Sequence, residues 1–327
     1  MPTLRIGVLG AARIAPAAVV KPARNSAEAE VVAVAARDRA RADAFATKHG
    51  IPRVFDSYSS LLADPDIDAV YNPLPNGLHA EWTIAALEAG RHVLCEKPFT
   101  ANAAEAERVA SVAARTGLVV MEAFHYRYHP LAERMREIVE SGELGTIRHV
   151  EAKLCFPLPR FSDIRYQYDL GGGATMDAGT YTVHIARLLA CEEPTVVSAT
   201  AKLRSPDVDR AMHAELSFPS GHSGVVTCSM WSSELLKTFA RARGDRGELY
   251  VVNPTNPQMW HRMRVTVDGS SRTERFTRRS TYEFQLDAFT AAVLRGAPTL
   301  TPPSDSVANM RVLDAIYLAA GMRPRGT

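Results

Sequence analysis

The sequence predicts an α/β protein in two parts: residues 1–124 as a doubly wound parallel sheet, and residues 125–327 as an α+β domain on a large open, mainly antiparallel sheet. Three observations carry this expectation. Apolar runs alternate with helix-like stretches over the first third of the chain, the signature of parallel strands joined by crossover helices. Beyond Phe124 the pattern becomes strands with one polar face, which suit an open sheet covered by helices on its other side. At 327 residues, 46% of them hydrophobic, the chain is also too long for one comfortable core.

The strands of the first part are read from RIGVLG, EVVAVAAR, DAVYNPLP, HVLCEKP and LVVMEAF. Helix ends between them are legible. Asp38 is placed to cap RARADAFATKH, which stops at Gly50 ahead of Pro52, and HAEWTIAALEAG closes at Gly90. An amphipathic helix, PLAERMREIVESG, leads the second part. Along HAELSF, Ala214, Leu216 and Phe218 share one side of a strand while His213, Glu215 and Ser217 share the other. PSGHSG then reads as a hairpin turn, and DRGELYVV, MRVTVDG and RTERFT continue the series. Two helices, around YEFQLDAFTAAVL and SDSVANMRVLDAIYLAA, close the chain.

The 38 Lys and Arg nearly balance the 36 Asp and Glu, so no whole-molecule field gathers nucleic acid or an anionic membrane. Small molecules or proteins are the expected partners. Cys95, Cys155, Cys191 and Cys228 lie far apart without a C-x-x-C pair, which argues against a zinc site or disulfide framework and for reduced thiols. MPTLR lacks the apolar core of a signal peptide and no run reaches the length of a membrane span, so a cytoplasmic location is expected. His125 and His129 have a spacing that suits a metal on a helix, but Pro130 follows directly and no carboxylate completes the set; no metal is expected.

The exit of the first strand, IGVLGAARIAP, falls where a dinucleotide-binding loop reads G-x-G-x-x-G. Here Gly10 keeps the first glycine, Ala12 and Ala15 replace the other two, and Ala11, Arg13 and Ile14 lie between. The first glycine makes the tight turn, the second admits the pyrophosphate to the backbone, and the third lets helix pack on strand. By itself such a loop is either a cofactor cradle or a plain strand-to-helix turn. At the end of the second strand, where an acidic residue holds the ribose hydroxyls of NAD, the chain has Ala35, Ala36 and Arg37. A guanidinium there suits a 2′-phosphate, which favours NADP over NAD, or it is a solvated arginine at a helix start.

CEKP at Glu96, Lys97 and Pro98 ends a parallel strand, NPLPNGLH precedes it, and GGGATMDAGTY follows in the second part. With GAARIAP and MEAFHYRYHP, these motifs resemble the Gfo/Idh/MocA oxidoreductases over essentially the whole length, within the branch of glucose-fructose oxidoreductase, dihydrodiol dehydrogenase and NADP-linked aldose dehydrogenases. The resemblance implies a Rossmann domain, a second domain whose open sheet forms a homodimer or a dimer of dimers, and a loop that holds the cofactor. It further implies that Glu96 positions the cofactor, that the Lys97–Pro98 peptide is cis, and that Leu74, Pro75, Asn76 and His79 contact the cofactor beneath its nicotinamide. His79 has a second reading, as a structural residue in the first turn of a helix.

Lys97 at the end of a parallel strand is placed where open α/β sheets bind ligands. Its ammonium can donate to a reacting oxygen and lower the pKa of a neighbouring acid. Asp177 and Tyr181, four apart on a helix entered from a glycine run, share one face. A phenol, with an ordinary pKa of about 10, becomes a usable base only beside a cation such as Lys97. Tyr181 is therefore the expected proton acceptor, against a packing role between domains. Asp177 is expected to bond a substrate hydroxyl or orient Lys97, against a plain helix-start carboxylate. Arg165 resembles the family's arginine facing the substrate. The expected activity is NADP-linked hydride transfer at a carbinol or hemiacetal carbon of a sugar, cyclic polyol or dihydrodiol. A dinucleotide-binding sensor and an NAD-dependent glycosidase are the alternatives. Only five residues precede the first strand, where glucose-fructose oxidoreductase has a long arm that retains its cofactor, so an exchangeable cofactor is expected.

Overall fold

The computed structural model describes residues 3–327. Its chain gathers into two compact units: one runs through Tyr128 and includes Arg279–Val307, the other comprises His129–Arg278 and Ala308–Thr327.

The first unit is a six-stranded parallel sheet of β1 (Leu4–Leu9), β2 (Ala29–Ala35), β3 (Arg53–Phe55), β4 (Ala69–Asn72), β5 (His92–Cys95) and β6 (Val120–Glu122). Its order is β3-β2-β1-β4-β5-β6. The direction of growth reverses between β1 and β4, and that switch point is where such sheets bind ligands at the carboxyl ends of their strands. The connecting helices are α1 (Lys21–Arg24), α2 (Arg39–His49), α3 (Tyr58–Ala63), α4 (His79–Glu88) and α5 (Ala103–Thr116). Asp38 accepts from the Arg41 amide at the start of α2, and Gly50 ends that helix at φ +60°. Ile6, Val8, Val34, Tyr71 and Leu94 of the strands form an apolar cluster with Val19 and Val20.

The second unit opens with α6 (Pro130–Glu140) and carries an eight-stranded sheet. Its strands are β7 (Ile147–Cys155), β8 (Thr195–Ser205), β9 (Val208–Ser217), β10 (Ser223–Ser229), β11 (Lys237–Gly244), β12 (Gly247–Val252), β13 (Arg262–Val267) and β14 (Ser270–Glu274), with α7 (Thr180–Ala190) between β7 and β8. The order is β14-β13-β12-β11-β7-β10-β9-β8, antiparallel throughout except where β10 runs parallel to β7. Ala214 and Leu216 of β9, and Phe218 just past its end, are buried while His213 and Glu215 face solvent, as the alternation requires. Asp268 and Gly269, both at positive φ, make the tight turn from β13 to β14.

Two helices follow β14: α8 (Thr281–Arg295) and α9 (Pro303–Ala319). Leu286 and Phe289 of α8 join the apolar cluster of the parallel sheet, which is why this late segment belongs to the first unit. Among the described residues no helix is long and apolar enough to cross a membrane.

Candidate active site

The loop after β1 turns at Gly10, whose φ of +93° excludes most side chains; a Cβ there would also press on Leu74 Cδ2 at 3.1 Å. Its amide donates to the Ala35 carbonyl at 2.6 Å, tying the turn to the end of β2. Ala11, Ala12 and Ile14 are partly exposed and Arg13 is exposed, which leaves this stretch open to a ligand. Ala15 is buried, so a methyl group fits at the helix–strand contact where the usual loop has its third glycine. The helix beyond opens as a π turn, Pro16–Val20, and runs into α1.

Arg37 is exposed just past β2. The Tyr58 hydroxyl lies 3.8 Å from where a Cβ on Gly10 would be, and the charge of Arg37 acts on that hydroxyl, so Arg37 neighbours the loop. The carboxylate of the next residue, Asp38, is occupied as the cap of α2.

Two strands over, Asn72 at the end of β4 is buried and shapes NPLPNGLH. Its Nδ2 donates to the His79 carbonyl and to Thr83 Oγ1, while its Oδ1 accepts from the Leu74 amide. Pro75 and Asn76 stay partly exposed. His79 has no exposed surface: its Nδ1 meets the Pro98 carbonyl at 2.8 Å and its Nε2 the Leu74 carbonyl at 2.7 Å. Both nitrogens face carbonyls of the protein, and the neutral ring, with a single N–H, donates to one of them at a time, joining the two loops. Burial lowers its pKa to about 4, although the two carbonyls favour the charged ring.

At the carboxyl end of β5, Glu96 is nearly buried and accepts from the Tyr71 hydroxyl at 2.7 Å and from the Lys97 amide at 3.3 Å. Lys97 is partly exposed and its peptide to Pro98 is cis. Because β1, β4 and β5 are parallel neighbours, Gly10, Leu74 and Lys97 stand at one end of the sheet.

In the second unit Arg165 donates to Asp163 at 3.0 Å through Nε and to Asp177 at 3.3 Å through Nη1. Burial opposes its charge, but the hydrogen bond it donates to Asp163 and the fields of Asp177 and Asp163 outweigh that, and the guanidinium pKa is raised. The helix expected around Asp177 and Tyr181 is continuous but starts differently. Asp177 sits in a π turn, Thr175–Gly179, and Tyr181 in the first turn of α7, buried to 8% exposure. Such turns occur frequently at functional sites.

Sequence reasoning missed Tyr71 and Asp163. Tyr71 looks like any core residue of an apolar strand, and only the fold brings its hydroxyl to Glu96. Asp163, two residues before Arg165, has the spacing of a local side-chain-to-backbone turn and does accept from the Arg165 amide at 3.2 Å, a signal that was available.

A glycine-turned loop at the switch point of a 3-2-1-4-5-6 sheet, with a lysine at the same end of the sheet two strands away, defines a dinucleotide-binding α/β protein of oxidoreductase type. Residues 4–124 match the model of an oxidoreductase family with an NAD-binding Rossmann fold, and residues 132–250 match the GFO/IDH/MocA C-terminal domain. The chain belongs to the GFO/IDH/MocA oxidoreductase family. It is 40% identical over 318 residues to an NADP(+) D-xylose 1-dehydrogenase of Haloferax volcanii, covering 97% of each chain. It is 33% identical over 271 residues to the trans-1,2-dihydrobenzene-1,2-diol dehydrogenase of Mus musculus, covering 81% of this chain and 78% of that one. Among solved structures it is similar to a 3-ketoreductase from Actinomadura kijaniata in complex with NADP and TDP-benzene, with a TM-score of 0.90, 32% identity and 98% of each chain covered.

Proposed function

We propose that the protein is an NADP-dependent dehydrogenase or reductase acting on a CH–OH group of a sugar, cyclic polyol or diol. The observation that carries this reading is Lys97, at the carboxyl end of β5, on the same end of the sheet as the Gly10 turn. The residues fit a dinucleotide with a 2′-phosphate. Ala11 to Ile14 are open to a ligand ahead of a helix start, Arg37 is an exposed cation near them, and the carboxylate of the following residue, Asp38, is engaged as the cap of α2. Leu74, Pro75 and Asn76 would flank the nicotinamide, with His79 and Glu96 holding those loops and Lys97 in place. NADP, when bound, accepts or supplies the hydride.

The chain's own part is the proton and the orientation of the substrate. The Lys97 ammonium donates a hydrogen bond to the reacting oxygen, Tyr181 takes the hydroxyl proton during oxidation, and the charge of Lys97 favours the phenolate that results. Arg165 and Asp177 present a donor and an acceptor to other hydroxyls of the substrate. In this reading residues 1–124 bind the cofactor, and residues 125–327 bind substrate and build a homodimer through the open face of the sheet, where His213 and Glu215 of β9 and Val197 of β8 are exposed. Light scattering that shows a stable monomer at micromolar concentration removes the dimer.

The test is a screen of aldoses, starting with D-xylose, then inositols and diols, with NADP and NAD, read by nicotinamide absorbance. Reduction of free NADP by one of them is expected. NADPH binding without turnover of any compound overturns the reading in favour of a sensor, and cofactor retained through turnover favours a glycosidase.

A further inference from the structure

Near the end of the chain Arg325 has no exposed surface. Its guanidinium is shared among three acceptors: Asp209 Oδ1 at 3.0 Å from Nη2, the Gly172 carbonyl at 2.6 Å from Nε, and the Arg323 carbonyl at 3.2 Å from Nη1. It lies over the Tyr317 ring, 4.1 Å from the centroid. Asp209 is equally buried. Its Oδ2 accepts from the Thr175 amide at 2.7 Å and hydroxyl at 2.8 Å, and its Oδ1 also accepts from the Tyr317 hydroxyl at 3.2 Å. The tail around Arg325 is held as well, since Tyr168 Oη donates to the Pro324 carbonyl and Arg323 pairs with Asp207.

These contacts converge on the backbone that carries the Arg165–Asp177 pair. Gly173 donates its amide to the Arg165 carbonyl at 2.8 Å, and its carbonyl accepts from the Asp177 amide at 3.0 Å. The glycine run exists for this approach. A Cβ on Gly173, at φ +130°, would meet Asp209 Oδ1 at 2.2 Å and Arg325 Nη2 at 2.8 Å, and one on Gly172 would meet the Arg165 carbonyl at 2.8 Å. Stability alone is a poor reason for such a pair, because well-packed apolar side chains often serve as well. A planar guanidinium, however, holds two acceptors at a fixed angle, which a point-charge ammonium does not.

We propose that Arg325 is a positioning residue: countered by Asp209, it clamps the Gly172–Gly173 backbone and so fixes the geometry of Arg165 and Asp177, making the C-terminal tail part of the substrate site. The role in turnover rests on the function proposed above; the clamp itself does not.

Arg325→Lys keeps the charge beside Asp209 and gives up the fork. Its melting temperature is expected within a few degrees of native and its NADPH affinity within about twofold. Its kcat on D-xylose, or on whichever compound the screen identifies, falls about 10- to 100-fold, the scale of a displacement of about 1 Å. Amides of residues 172–181 exchange faster with deuterium, and those of β9 and β10 do not. In Arg325→Ala, millimolar guanidinium chloride restores part of both the turnover and the slow exchange. The proposal is overturned if Arg325→Lys matches the native protein in turnover and exchange, or if Arg325→Ala loses activity only in step with its fold and guanidinium restores neither. If the native protein turns over no compound, the functional reading fails, while exchange at residues 172–181 and its rescue still decide the clamp.

Discussion

Acidification challenges the first unit through two enclosed imidazoles, His79 and His125, which are 0% and 3% exposed. Burial holds the His79 pKa at about 4, and burial together with the nearby Lys97 charge holds that of His125 at about 3. In the unfolded chain both take up protons at about 6.5. Below that value the unfolded state binds more protons, so stability that is complete at neutral pH is lost as the pH falls toward the folded values. At about pH 5 both folded rings are still neutral, and the loss no longer depends on how far below 5 their pKa values lie. Each ring then costs about 2 kcal/mol, from about 1.5 pH units at about 1.4 kcal/mol per unit, and the two together about 4 kcal/mol. The assay is urea denaturation followed by Trp82, one of three tryptophans, in a Trp231→Phe, Trp260→Phe background. Trp82 packs edge-on against Tyr58 of the same unit and reports on it. His125→Gln removes one titrating ring, and its amide can still meet the Thr281 hydroxyl that His125 Nδ1 bonds at 2.8 Å. Carboxylates that protonate in this range act on both proteins and cancel. The variant is expected to lose about 2 kcal/mol less than its parent between about pH 7.5 and pH 5. Identical pH slopes for the two proteins would refute the reasoning.

Tyr181→Phe should lower turnover by about 10²–10⁴-fold and leave NADPH affinity within about twofold, measured by steady-state kinetics and fluorescence titration. If it stays within a few-fold of native while Lys97→Met abolishes turnover, Lys97 or Asp177 is the base. The native protein should bind NADPH more tightly than NADH and Arg37→Asp should reverse that preference; equal affinities in the native protein remove the argument for the 2′-phosphate. Gly173→Ala combines a positive φ with a Cβ 2.2 Å from Asp209 Oδ1, and should cost about 3 kcal/mol in urea denaturation. An unchanged midpoint would mean that the loop can move away from the ion pair.

The sequence by itself determined what short windows encode. Alternation along HAELSF placed Ala214, Leu216 and Phe218 inside, Asp38 and Gly50 bounded α2, and five apolar runs between helices required a parallel sheet. These follow from backbone periodicity and local hydrogen bonding, which act over a few residues. The expectation that Lys97, Asp177 and Tyr181 do chemistry came in a different way, from motifs resembling a family, since no periodicity marks them as chemical. Tertiary structure decided the rest. It put α8 on the parallel sheet through Leu286 and Phe289, gave Glu96 its bond from Tyr71, and set both nitrogens of His79 against carbonyls of its own unit. It also set Arg325 on Asp209 across 116 residues of chain. A buried polar group must find a partner wherever the fold supplies one, and that choice depends on which distant segments the core brings together; the same Asp or Arg in a local window reads as solvated surface.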